Sequence, residues 1–179
     1  MEIVALSWEH ENALAEFVRE FSASGETHIP AYLPDPDWSF QETVEGFAKQ
    51  SRGEDLPEGW VPGTTRFLIH EERILGVSNL RHRLTEGLLQ FGGHVGYSVR
   101  PSDRGKGHGT RLLEGAMELG REMSIDRLLV TCDPQNVASA KVIVKCGGVL
   151  ENQFFHAPAG REVARYWIAL TQRPLAADR

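Results

Sequence analysis

Three glycines at alternate positions, Gly105, Gly107 and Gly109, stand between a strand pattern and an amphipathic helix pattern. Residues 93–100 alternate as a strand does, and Pro101 stops them. Beyond the glycines, residues 109–123 set Leu112, Leu113, Ala116, Met117, Gly120 and Met123 on one helical face. Glycine lets successive backbone N–H groups turn toward one point, and a helix N-terminus adds the positive end of its dipole. A strand, a glycine turn and a helix in that order therefore make a cradle for a small, multiply charged anion such as a pyrophosphate. Local charge agrees, because Arg100, Arg104, Lys106 and Arg111 meet only one acid, Asp103, within the stretch.

Two familiar phosphate loops fail here. A Walker A loop needs Ser or Thr after its Lys, but Gly107 follows Lys106, and position 100 holds Arg where the first glycine is required. The dinucleotide fingerprint GxGxxG fails because the glycines fall at 105, 107 and 109, and it would stand near the start of a βαβ unit. The pattern Arg/Gln-x-x-Gly-x-Gly/Ala fits as Arg104-Gly105-Lys106-Gly107-His108-Gly109.

The rest of the chain supplies a scaffold. Residues 2–6 read as a strand, and Leu14, Phe17, Val18 and Phe21 recur at helical spacing. Residues 25–38 form a Pro-bent loop. Ser39-Phe40-Gln41-Glu42 is a capping box, with Phe40, Val44, Phe47 and Ala48 behind it. Strands are expected at 66–71 and 74–84, the second ending in a turn at Thr85-Glu86-Gly87. Residues 127–132 form an apolar run suited to a buried parallel strand. A short helix over 136–145 ends at Gly147-Gly148, and strands at 149–156 and 163–170 flank a turn. The expected order is β-α-α-β-β-β-α-β-α-β-β: one domain over residues 1–171, with a tail at 172–179.

A net charge of −6 disfavours nucleic acid as the main partner. No apolar run reaches the ~20 residues of a membrane span, and no signal peptide is visible. Two cysteines without a CxxC or Cys/His cluster point to neither a disulfide scaffold nor a metal site. A cytoplasmic protein without a metal is the expectation.

Through the glycine loop and Asn136-x-x-Ser139 the chain resembles GNAT-type, acetyl-CoA-dependent N-acetyltransferases, and the stretch Gly92-Gly93-His94-Val95-Gly96-Tyr97-Ser98-Val99-Arg100-Pro101 also resembles a bacterial subgroup of largely uncharacterised predicted acetyltransferases. The resemblance implies an α/β (α+β) single domain: a mixed, mostly antiparallel central sheet with helices on both faces. It implies that Arg104, Gly105, Lys106, Gly107, His108, Gly109 and Thr110 bind the CoA pyrophosphate. It also implies that Asn136 and Ser139 of Asn136-x-x-Ser139 face pantetheine and phosphate, and that dimers are frequent. In the family the central strands splay, so the Val99 amide is expected to meet the cofactor and to serve as oxyanion donor. Two departures stand out. The family's usual Tyr acid, seven residues after Asn136, is Ile143, and the usual Phe after Gly147 is Gly148.

The implied reaction is attack of a primary amine, of a small molecule or a protein, on the thioester. It calls for a base, an oxyanion donor and a proton for the thiolate. His94 is the candidate base, since imidazole titrates near neutrality; the alternative is a sheet histidine held by a hydrogen bond. Strand parity sets His94, Gly96 and Ser98 on one face and Val95, Tyr97 and Val99 on the other. Tyr97 is the candidate replacement acid. His28 and Tyr32, with Asp35 and Asp37, are candidate acceptor-cleft residues, the acids attracting a cationic amine. A catalytically weak CoA-binding module with a sensing or scaffolding role is the competing reading, fed by Ile143.

Overall fold

The change from helical to two-residue periodicity marks where the sheet begins in earnest. The structure, a computed structural model, describes residues 1–26, 29 and 38–170. Among these, seven strands form one sheet: β1 (Glu2–Val4), β2 (Gly63–His70), β3 (Arg73–Arg81), β4 (Val95–Val99), β5 (Arg127–Cys132), β6 (Val149–His156) and β7 (Arg161–Ala169). Their order is β1-β2-β3-β4-β5-β7-β6. Only β4 and β5 run parallel; the other neighbours are antiparallel. The helices are α1 (Glu11–Ala23), α2 (Phe40–Arg52), α3 (Glu86–Gln90), α4 (His108–Glu122) and α5 (Val137–Lys145).

The four longer helices, α1, α2, α4 and α5, each bury one face. Phe17 and Phe21 of α1 and Phe47 of α2 pack with Phe67 and Val77 of the sheet. On the opposite face Leu113 and Ala116 of α4 and Ile143 of α5 meet Val95, Leu128, Val130 and Tyr166. The expected mixed sheet with helices on both faces is thus observed. The capping box is present: Ser39 Oγ accepts from the Glu42 amide at 3.2 Å, and the Ser39 amide donates to Glu42 Oε2 at 2.8 Å.

Two local expectations need correction. The strand expected to run to residue 84 ends at Arg81. The turn expected at residues 85–87 opens a one-turn helix, α3, because Thr85 Oγ1 accepts from the Leu88 amide at 3.2 Å and caps it. The tail at 172–179 lies outside the described residues. No described helix is long and apolar enough to cross a membrane.

The feature that matters most for function is the seam between β4 and β5. The two strands are in register only at Val95↔Val130 and then part. Gly93, at φ +62°, lies so close to β5 that a Cβ there would come 2.5 Å from the Leu129 carbonyl oxygen. No side chain fits at that position, so the strands are pressed together at one end of β4 and open at the other.

Candidate active site

The hydrogen bonds of β4 show what the opening exposes. Arg81 N–H donates to the His94 carbonyl at 2.8 Å, and Arg100 N–H donates to the Leu75 carbonyl at 2.9 Å. Backbone groups alternate sides along a strand. Those of Gly96, Ser98 and Arg100 therefore face β3, and those of Tyr97 and Val99 face the gap, where β5 offers no paired residue. The Val99 amide, the oxyanion donor expected from the sequence, thus faces the gap.

One end of the gap meets the glycine loop. Gly105 and Gly107 have φ of +78° and +85°, with open space where a Cβ would stand. Gly107 is the N-cap of α4. The Arg104 amide finds the Pro101 carbonyl at 3.4 Å and the Arg111 amide finds the Gly107 carbonyl at 3.3 Å. The intervening amides, from Gly105 to Thr110, have no acceptor among the described residues. His108, the first residue of α4, is 8% exposed, and its Nδ1 has no hydrogen-bond partner. A row of unclaimed donors at a helix N-terminus fits an anion. Gly109 stands differently: a Cβ there would touch Val142 and Tyr97, 3.4 and 3.5 Å away, where α4 packs on β4 and α5.

Three of the four cations counted from the sequence, Arg100, Arg104 and Lys106, are matched to acids, whereas Arg111 Nη1 reaches the Met1 sulfur at 2.7 Å. Arg100 is 4% exposed and donates from Nε to Glu20 at 2.5 Å. Arg104 pairs with Glu26 at 2.8 Å and Lys106 with Asp103 at 2.7 Å. Asp103 also accepts from Arg73 at 3.0 Å. Two of the three acids come from α1 and the residues just after it. The anion site therefore offers a row of backbone donors beside cations of which Arg100, Arg104 and Lys106 already carry acid partners.

Across the gap lies the start of α5. Asn136 caps it, its Oδ1 accepting from the Ser139 amide at 3.0 Å. Ser139 Oγ lies 2.9 Å from the Tyr97 hydroxyl. Burial pushes the Tyr97 phenol up to about 12, against the opposing bond to Ser139. It keeps its proton throughout the neutral range. The structure thus joins Tyr97 to the Asn136-x-x-Ser139 motif, which the sequence presents separately from it. Ile143, on α5, is fully buried in the core.

His94 sits at the closed end of the seam. Its amide donates to the Leu129 carbonyl at 2.7 Å, and its Nδ1 accepts from the Leu129 amide at 2.9 Å. The ring is 7% exposed and meets Trp167 edge-on, with centroids 6.4 Å apart. Burial, with a smaller contribution from the Arg81 charge, pushes its pKa down to about 4. Because Nδ1 accepts, the neutral ring carries its proton on Nε2. His28, Tyr32, Asp35 and Asp37 lie outside the described residues. Cys132 and Cys146 are free and half-buried, and burial raises both thiols, so neither is set up as a thiolate nucleophile.

Comparison with known proteins agrees with this architecture. A family model described as an acetyltransferase (GNAT) domain matches residues 3–149. Over 131 residues the chain is 32% identical to the uncharacterized N-acetyltransferase YnaD of Bacillus subtilis (strain 168), covering 71% of this chain and 69% of that protein. Among solved structures, yncA of Salmonella typhimurium with its cofactor acetyl-CoA superposes with a TM-score of 0.62 at 15% identity, over 99% of this chain and 98% of that one. A Salmonella typhimurium acetyl transferase that modifies the N-terminal serine of ribosomal subunit protein L7/L12 superposes with a TM-score of 0.65 at 20% identity, over 94% of each chain. Taken with the parted strands and the amide-lined helix start, these matches place the chain in the GNAT family, as an acetyltransferase.

Proposed function

We propose that the protein transfers acetyl from acetyl-CoA to a primary amine by direct attack on the thioester. The observation that carries this reading is the β4–β5 gap, which runs from the unclaimed amides of the α4 start to the inward-facing Val99 amide. The cradle of residues 104–110 binds the pyrophosphate, and Asn136 and Ser139 border the pantetheine arm. When bound, acetyl-CoA supplies an activated acyl group. The Val99 amide donates to the carbonyl oxygen as charge develops there. The C–N bond forms, the C–S bond breaks, and a proton of the amine replaces the acyl group on sulfur.

Tyr97 takes the part of hydrogen-bond donor to the departing sulfur. Its phenol is protonated at working pH and already reaches across to Ser139. Tyr97→Phe should lower kcat about tenfold, the weight of one good hydrogen bond made in the transition state, with CoA affinity within about twofold of the parent. Steady-state rates beside calorimetric titration test this, and an unchanged kcat removes Tyr97 from the chemistry.

His94 does not serve as the base in this reading. Its one lone pair is committed to the Leu129 amide, and a group that protonates near 4 is a weak base. It clamps the closed end of the seam, and proton removal falls to another group or to water. The acceptor is a small-molecule or protein amine. The exposed outer strand β6, with Val149, Leu150 and Phe155 in solvent, supports assembly as a homodimer.

The competing reading is a CoA-binding module with little turnover, favoured by the buried Ile143 at the family's usual Tyr position. Thiol release from acetyl-CoA across a panel of primary amines separates the two. Amine-dependent release supports the enzyme. CoA binding by calorimetry without release from any amine supports the module.

A further inference from the structure

Three cations of a loop built to hold a polyanion, Arg100, Arg104 and Lys106, are already paired with acids. Two of the partners, Glu20 and Glu26, come from the C-terminal end of α1 and the residues just after it. Glu20 accepts from Arg100 Nε at 2.5 Å through one carboxylate oxygen and from the Ser102 amide at 2.8 Å through the other. Arg100 is buried and also donates to the Ile74 carbonyl at 3.3 Å, so Glu20 ties the head of the loop to α1 and, through Arg100, to the sheet. A single carboxylate thus fixes two points of the turn that aims the amides.

Glu26 stands differently. It pairs with Arg104 at 2.8 Å, with side-chain exposures of 36% and 48%. Arg104 also donates from Nε to the Val99 carbonyl at 3.2 Å and lies 5.7 Å from the centre of the Phe21 ring. The cation is therefore held against the loop by Phe21 and Val99 whether or not Glu26 is present. What Glu26 adds is occupation of Arg104 Nη2 by a carboxylate, a charge-assisted contact of the kind a phosphate also offers.

We propose that α1 and its C-terminal extension set cofactor affinity through two acids acting in opposite directions. Glu20 is a positioning residue that braces the loop and strengthens binding. Glu26 is an internal competitor that holds Arg104 away from the ligand's phosphates and weakens binding. Arg104 exchanges the Glu26 carboxylate for a phosphate when CoA binds. No covalent step is involved. This inference rests on the reading of residues 104–110 as a CoA cradle, and it adds an opposing pair that the loop pattern does not contain.

The test is calorimetric titration of the full chain with CoA and, as a phosphate-free control, with pantetheine. Glu20→Gln keeps the shape of the side chain and removes its charge; it should raise the CoA Kd about tenfold, the weight of one charge-assisted hydrogen bond. Glu26→Gln should lower the CoA Kd by about two- to fivefold, the range expected for release of an exposed ion pair. Neither variant should change binding of pantetheine. In an Arg104→Gln background the gain from Glu26→Gln should vanish, because the exchanged cation is gone.

A merely structural pair of acids gives no gain for either variant, so a Glu26→Gln protein that binds CoA as the parent does, or more weakly, overturns the proposal. A gain that survives in the Arg104→Gln background also overturns it, since the effect is then only one of overall charge. Should Glu20→Gln fail to fold, the Glu26 arm still decides, because that pair lies at the surface. A parent protein that does not bind CoA at all refutes the cradle itself, a different failure from unchanged affinities in the variants.

Discussion

Replacing His94 with Ala should cost about 2–4 kcal/mol of folding stability at pH 7.5, without flattening the acidic limb of the rate profile. The change removes a buried ring packed on Trp167 and strands the Leu129 amide without its acceptor. Each loss is worth a few kcal/mol in a protein interior. The pH dependence gives the effect its signature. In the folded chain His94 refuses a proton until about pH 4, whereas the unfolded chain accepts one near 6.5. A depressed folded pKa means stability that is present above 6.5 and drains away as pH falls toward 4. The parent should therefore lose about 2 kcal/mol from this group by pH 5, and the variant should not. Urea unfolding of both proteins at pH 7.5 and 5 shows the gap between them narrowing. If His94→Ala keeps parental stability and abolishes the acidic limb of kcat, the imidazole is the base after all.

Gly107→Val should weaken CoA binding by about 10- to 100-fold while leaving the core intact. Gly107 caps α4 at φ +85°, a conformation that costs a β-branched residue about 1–3 kcal/mol. Nothing lies within 4 Å of the added Cβ, so the strain is relieved by movement of the loop and not by disruption beneath it. A loop that moves no longer aims its amides at one point, and the lost affinity follows the strain energy. Gly109→Val should behave otherwise: its side chain enters the space between Val142 and Tyr97, so stability falls along with binding. Calorimetry and thermal melts on both variants distinguish these outcomes. Equal CoA affinity in Gly107→Val and the parent removes the cradle from the binding account.

What the sequence discloses, and what it conceals, divides along sequence distance. The parity of Tyr97 and Val99 follows from alternation within one short strand, and the glycine turn follows from spacing within a dozen residues. Both are local, and both are legible. The partners of Arg100 and Arg104 are not. Glu20 and Glu26 stand 80 and 78 residues earlier, so charge counted along the loop alone misses the acids that folding brings to it. His94 deceives for the same reason. A titratable ring on the right strand looks like a base until β5 is laid beside it, and only the sheet order shows that Leu129 claims its lone pair. The α3 turn was hidden by its own cap, since Thr85-Glu86-Gly87 reads as a hairpin turn as readily as a helix start. Ile143 signals from the sequence that a hydroxyl is missing at the usual place, but the link from Tyr97 to Ser139 requires the packing of β4 against α5.

The parting of β4 from β5 leaves a mark that deuterium can read. Along five residues of one strand, amides that face β3 are tied into a ladder and their neighbours face an open seam. In the ligand-free protein the Gly96 and Ser98 amides should exchange slowly and the Tyr97 and Val99 amides quickly, an every-other-residue comb of protection. A continuous ladder on both sides gives uniform slowness instead. CoA in the seam should slow the fast teeth of the comb and leave the slow ones unchanged, making this strand a built-in reporter of whether the cleft is filled.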